Sequence, residues 1–232
     1  MPITHQEDKE KIIYSFIISG FFVLILWIIK IIEEVFGLSF AQLGVYPKKI
    51  SGLIGIIFSP LIHGDFSHLI SNTSTLFFVF FGILYFYRSS AYKVFLIIYL
   101  GSGLMVWLVG RPSYHIGASG LVYGFVSFLF FSGVFRKDRR AVGMSLLIAF
   151  LYGGLVWGVL PIQKGVSFEA HLFGALIGLL CAFIFRKSDP PQKYEWEEEE
   201  DEDDDDYDDG YDDDDIDPDD VKIEDDATPR HF

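Results

Sequence analysis

Residues 117–135 read GASGLVYGFVSFLFFSGVF, and residues 168–185 read FEAHLFGALIGLLCAFIF. Each is an apolar run of helical length with a polar residue in its first turn, Ser119 and His171. A helix needs about 20 apolar residues to cross ~30 Å of hydrocarbon, and somewhat shorter runs cross by thinning the bilayer. Four further stretches read the same way: Ile12–Ile32, His68–Tyr87, Tyr92–Val109 and Ala141–Leu160. Six such runs leave too little polar surface for a soluble core. The expected fold class is therefore all-α, a polytopic bundle of six transmembrane helices over residues 12–186.

The composition agrees once the charges are mapped. The chain is 51% hydrophobic yet has a net charge of −14. Residues 189–232 hold 24 acidic residues against three basic ones, a net −21, so residues 1–188 are at +7. A mildly basic apolar body is joined to a strongly acidic segment. Like charges at that density repel, and few apolar residues are at hand to pack, so residues 187–232 are expected to form a disordered tail. The first apolar run exceeds a usual signal-peptide core, and no small-residue cleavage site follows it. The lone Cys181 falls inside the last run and cannot form an internal disulfide.

Lys and Arg in short loops set orientation. With the N-terminus inside, the inner segments carry Lys9, Lys11, Arg88, Lys93, Arg136, Lys137, Arg139, Arg140, Arg186, Lys187 and Lys193. The outer ones carry only Lys30, Lys48, Lys49, Arg111 and Lys164. Both termini, including the short lead 1–11, are expected in the cytoplasm. A compact six-span chain fits a bacterial cytoplasmic membrane. The long outer loop Glu33–Ser67 is partly apolar and broken by Gly52, Gly55 and Pro60. It reads as structure lying in the interface rather than crossing it.

In that topology spans two, four and six all enter from outside. Span two begins with His68 and Asn72, span four with Gly117-Ala118-Ser119-Gly120, and span six with Ala170-His171. A hydroxyl, two imidazoles and an amide thus share one depth, and polar groups at such a depth face the bundle interior or water. Gly120 and Gly124, and Gly174 and Gly178, are each spaced by four, which allows close helix approach. If spans four and six cross there, Ser119 meets His171.

Serine is a weak nucleophile until a neighbouring base takes its proton, and His171 is the expected base and later acid. Taken singly, Ser119 is more commonly a helix serine bonded to its own backbone. The pair at matching depth is what argues for chemistry. Glu169, two positions from His171, should point elsewhere. Tyr123 lies four residues after Ser119 and can pack on the imidazole. His68 and Asn72 share a helix face and could donate to an oxyanion, with the backbone N–H of Ser119 as a third donor. His115 also lies four residues before Ser119. Gly117 marks a turn there, which should leave His115 in reach of water and outside the chemistry.

Gly117-x-Ser119-Gly120, His68-x-x-x-Asn72 behind His63-Gly64, and Ala170-His171-x-x-Gly174-x-x-x-Gly178 resemble the motifs of the rhomboid family. The resemblance covers about residues 12–186. It implies a six-helix intramembrane serine protease, with Ser119 as nucleophile, His171 as base and His68 and Asn72 in the oxyanion site. Tyr123 matches the aromatic that stacks on the catalytic histidine. No metal or cofactor is implied. The implied partners are transmembrane protein substrates and the lipid bilayer, with no nucleic acid. The Trp-Arg pair common in the family's first outer loop is absent from Glu33–Ser67, and the acidic tail is no family feature. Two other readings are a silent relative that only binds membrane clients and a metal site or transporter built on His63, His68, His115 and His171.

Overall fold

A computed structural model describes residues 4–152, 157–161 and 165–191. The expected tail therefore lies outside the described residues from 192 onward. So do Lys164 and the stretch 153–156 of the fifth expected span. Among the described residues no β-strand forms, and the only β pairing is an isolated bridge between Val45 and His115.

Among the described residues seven α-helices follow one another: α1 His5–Val35, α2 Gly55–Phe58, α3 Phe66–Phe86, α4 Ala91–Val109, α5 Ser119–Arg136, α6 Arg139–Leu151 and α7 Phe168–Ile184. Four of them, α1, α3, α4 and α5, are long and apolar enough to cross a membrane by length and composition. The expected span Ala141–Leu160 is corrected: the helix starts at Arg139 and stops at Leu151. Tyr152 already leaves helical geometry, with φ −108° and ψ 46°, and the sequence that follows, Gly153-Gly154, is poor in helix propensity. At 1.5 Å per residue, α6 is only about 20 Å long and α7 about 26 Å, so both are short for the hydrocarbon layer.

Local chemistry fixes the helix starts. Asp65 caps α3 by accepting from the His68 N–H at 2.8 Å. Ser167 caps α7 through the Ala170 N–H at 3.3 Å, and Asp138 caps α6 through Arg140 and Ala141. Lys137, with a left-handed φ of 59°, ends α5 and turns the chain straight into α6. The two helices become packed neighbours.

The first helix turns small and polar residues inward and most of its large apolar ones outward. On α1 the buried residues include Ser15 and Ser19, while Phe16, Ile17, Phe21 and Leu24 are exposed. That inverts a soluble helix and suits a lipid solvent. α5 is the central strut, packed against α3, α4, α6 and α7. Its contact with α7 is backbone to backbone: a Cβ on Gly174 would overlap the Gly120 carbonyl, and one on Gly178 would overlap that of Gly124. One turn further in, Ser127 Oγ donates to the Ala175 carbonyl at 2.7 Å. Spans four and six therefore cross where the glycines predict.

The connection between α1 and α3 is a run of short turns, 3-10 segments at Ala41–Leu43, Ile50–Ile54 and Ser59–Leu61 around α2. It is tied to the bundle rather than loose. α2 packs on α4, and Val45 exchanges both backbone hydrogen bonds with His115. Tyr46 stacks edge-on with Tyr114, and Trp107 Nε1 donates to the Lys49 carbonyl at 2.8 Å.

Candidate active site

Ser119 is the first residue of α5. The backbone needs a sharp change of direction just before it, and Gly117 supplies this with φ +109°. Gly117 N–H donates to the Ser59 carbonyl at 2.9 Å, and the Ala118 N–H donates to His63 Nε2 at 3.3 Å. His63 is 1% exposed, and burial, with a smaller contribution from neighbouring His68, pushes its pKa down to about 3. It is therefore a neutral imidazole, able to accept that N–H. As a first helical residue, Ser119 keeps a backbone N–H with no intrahelical acceptor.

His171 sits in the first turn of α7 and is buried. Its ring is held on two sides. Tyr123 stacks on it with centroids 4.1 Å apart and planes within 10°. The Gly158 carbonyl lies 2.8 Å from Nδ1. A carbonyl only accepts, so Nδ1 carries the proton and Nε2 keeps its lone pair. Gly158 lies on the 3-10 turn Trp157–Val159, and a Cβ there would overlap the Tyr123 hydroxyl. No spacing argument could have nominated it, because its contribution is a main-chain oxygen from a different element.

Ser119, His171, Tyr123, His68 and Asn72 line one cavity of roughly 1080 Å³. The His68 ring lies against Gly117, where an added Cβ would stand 2.7 Å from Nε2 and 3.3 Å from Asn72 Nδ2. Asn72 is buried, and its Nδ2 has no hydrogen-bond partner. An orphaned buried donor costs free energy unless something completes it. Here it borders the loop that leads to Ser119. The structure thus gathers all the residues expected at the site, with Gly120, Gly174 and Gly178 at the helix crossing beneath. No hydrogen bond joins Ser119 to His171; the two meet only as walls of the same cavity.

Two expectations fare differently. Glu169 does turn away from His171, toward Arg111, with Nε 3.5 Å from Oε1. His115 is only 4% exposed, less open than expected, and it lines the cavity that Ser119 and His171 share. Its loop is pinned by the Val45 bridge and its ring by Ser167, whose Oγ lies 2.6 Å from Nδ1. Among the described residues, no group of three or more His, Cys, Asp or Glu converges as a metal site, so the four outer histidines do not assemble one.

Comparison with known proteins agrees with this architecture. The family model described as Rhomboid domain matches residues 51–188. An uncharacterized protein of Mycobacterium tuberculosis (strain ATCC 25618 / H37Rv) is 34% identical over 186 residues, covering 74% of this chain and 75% of its own length. One from Mycobacterium leprae is 32% identical over 182 residues, covering 74% and 71%. A Bacillus subtilis protein named "Putative rhomboid protease YdcA" is 31% identical over 131 residues, covering 53% and 63%. With its apolar helices crossing at paired glycines and a family match over more than half its length, this chain is a multi-pass membrane protein of the rhomboid family.

Proposed function

We propose that the chain is an intramembrane serine endopeptidase that cuts peptide bonds in or near transmembrane segments of other membrane proteins. The observation that carries this reading is the clamp on His171. The Gly158 carbonyl fixes the proton on Nδ1 and Tyr123 fixes the ring plane, so the basic Nε2 is left for the cavity that Ser119 also lines. This is what a general base beside a hydroxyl nucleophile needs.

In the proposed reaction Ser119 Oγ attacks the scissile carbonyl while its proton passes to His171 Nε2. The oxygen of the tetrahedral adduct takes hydrogen bonds from Asn72 Nδ2, His68 and the Ser119 N–H. His171 then gives its proton to the departing amine, leaving an acyl ester on Ser119. Water, deprotonated by the same imidazole, attacks the ester, and the acid product leaves as Ser119 is restored. The Gly158 carbonyl supports the ring when it becomes positively charged, the role usually given to a carboxylate. The body over residues 12–186 carries this chemistry, with both termini in the cytoplasm as the Lys and Arg distribution favours.

The test is cleavage of a model transmembrane substrate by purified protein in detergent with EDTA present, alongside fluorophosphonate labelling. Ser119→Ala should lose both, and His171→Ala should fall to background in both. Cleavage retained in either variant sinks the pair.

A further inference from the structure

We propose that His115 is a positioning residue for the Ser119–His171 pair and that it acts through Ser167; the proposal rests on the function put forward above. His115 lies in the loop between α4 and α5, two residues before Gly117, yet it is buried. Its main chain is fixed from outside by Val45, with N–H to carbonyl distances of 2.9 and 3.0 Å. Its side chain reaches the other way, to the start of α7.

The hydrogen bonds have one consistent direction. Nε2 is 3.1 Å from the Arg111 carbonyl, which can only accept, so Nε2 carries the proton. Nδ1 then holds a lone pair, 2.6 Å from Ser167 Oγ, and Ser167 must donate. The Ser167 oxygen stays free to accept from the Ala170 N–H, which it does at 3.3 Å. The Ser167 carbonyl accepts from the N–H of His171 itself, also at 3.3 Å. A single residue thus holds the first turn of α7 by side chain and main chain, and His115 fixes the rotamer of that residue.

A second contact fastens the same two segments. Arg111 N–H donates to Glu169 Oε1 at 3.3 Å, its Nε is 3.5 Å from the same oxygen, and its Nη2 donates to the Val166 carbonyl. The loop that delivers Ser119 to the cavity is therefore bolted to the turn that delivers His171. α5 and α7 also touch at their glycines, and the two loop contacts hold the start of α7 above that crossing. Reaction geometry tolerates little freedom there, since a displacement of about 1 Å at a reacting group can cost on the order of 10²-fold in rate.

The test uses the 232-residue chain, comparing wild type, His115→Ala, Ser167→Ala, their double variant and Ser167→Thr. Each is assayed for kcat and KM on a model transmembrane substrate and for thermal midpoint, with Ser119→Ala run beside them. Loss of positioning should lower kcat about tenfold or more in both alanine variants, with KM within about twofold. The double variant should be no slower than the slower single one, because both break the same link. Ser167→Thr keeps the hydroxyl and should retain kcat. Amide exchange at Ala170 and His171 should quicken in His115→Ala, with α3 unchanged. Wild-type kcat in His115→Ala, multiplying effects in the double variant, or a loss confined to KM and thermal midpoint would overturn the proposal. Should His115→Ala not fold, the Ser167→Ala and Ser167→Thr contrast decides it by the same criteria. A fully active Ser119→Ala overturns the protease reading instead, and the positioning role with it.

Discussion

The ring of Tyr123 lies parallel to the imidazole of His171, with 4.1 Å between centroids. Tyr123 is carried by α5, four residues after Ser119, so the helix that delivers the hydroxyl also delivers the plate against which the imidazole rests. Such a stack contributes about 0.5–1.5 kcal/mol beyond simple burial. Tyr123→Phe keeps the ring and should hold kcat within a few-fold. Tyr123→Ala should lower kcat about tenfold at nearly constant KM, matching the loss of ~1.4 kcal/mol. Equal kcat for the two variants would remove the stack from the argument.

Gly158 has no room for a side chain, because an added Cβ would overlap the Tyr123 hydroxyl and lie 3.1 Å from His171 Nδ1. Gly158→Ala should therefore displace the ring clamp and cut kcat on the order of 10²-fold, as a misplacement near 1 Å does. Removing the hydroxyl relieves the clash, so Gly158→Ala with Tyr123→Phe should recover part of the rate. Steady-state kinetics of the three variants checks this. A double variant no better than Gly158→Ala would show that the overlap is not the cause.

Asn72 Nδ2 is buried without a partner and lies at Gly117, beside the turn into Ser119. An amide donor held ready for charge that appears only in the transition state should act on turnover rather than binding. Asn72→Ala should lower kcat on the order of 10²–10³-fold and leave KM and thermal midpoint near wild type. His68→Ala should do likewise. Full turnover in both variants would make them structural residues only.

Much of this was legible in the sequence, for a physical reason. A lipid solvent forces helices, and glycines at a spacing of four on two spans say which pair touches. That crossing and a shared depth made it legible that Ser119, His171, His68 and Asn72 would meet, and they line one cavity. What stayed hidden depends on main-chain atoms and on loops. The Gly158 carbonyl leaves no trace in side-chain patterns. His115 sits beside a turn glycine, which argues for exposure, but partners distant in sequence, Val45 and Ser167, bury it. The fifth span reads as 20 apolar residues because hydropathy sums over Tyr152 without sensing the break.

Asp189 shows the same limit at the other end. It reads as the first residue of an acidic segment, yet it accepts from the Ser89 N–H at 2.9 Å and from Ser90 Oγ at 2.7 Å, at the start of α4. Two variants separate these roles. Ending the chain after Pro191 should leave thermal midpoint and cleavage unchanged. Asp189→Ala removes the carboxylate and should lower the midpoint by a few degrees, in keeping with about 1 kcal/mol for a lost cap. Identical midpoints would show that the contact contributes nothing to stability.

His63 gives a pH dependence with a defined sign. Its folded pKa is pushed down to about 3, chiefly by burial. In the unfolded chain the ring takes up its proton near pH ~6.5. Between these values the unfolded state binds one more proton, so stability falls as the pH is lowered, by up to about 1.4 kcal/mol per pH unit. Above the unfolded pKa the effect vanishes. The neutral ring is also what the turn requires, because Nε2 must accept the Ala118 N–H one residue before Ser119. A glutamine can accept the same N–H and does not titrate. From pH 7 to pH 5 the thermal midpoint in detergent should therefore fall more steeply for wild type than for His63→Gln, since every other titrating group is common to both. Parallel slopes would mean that His63 carries a proton in the folded protein, and that its hydrogen bond to Ala118 is not what holds the turn.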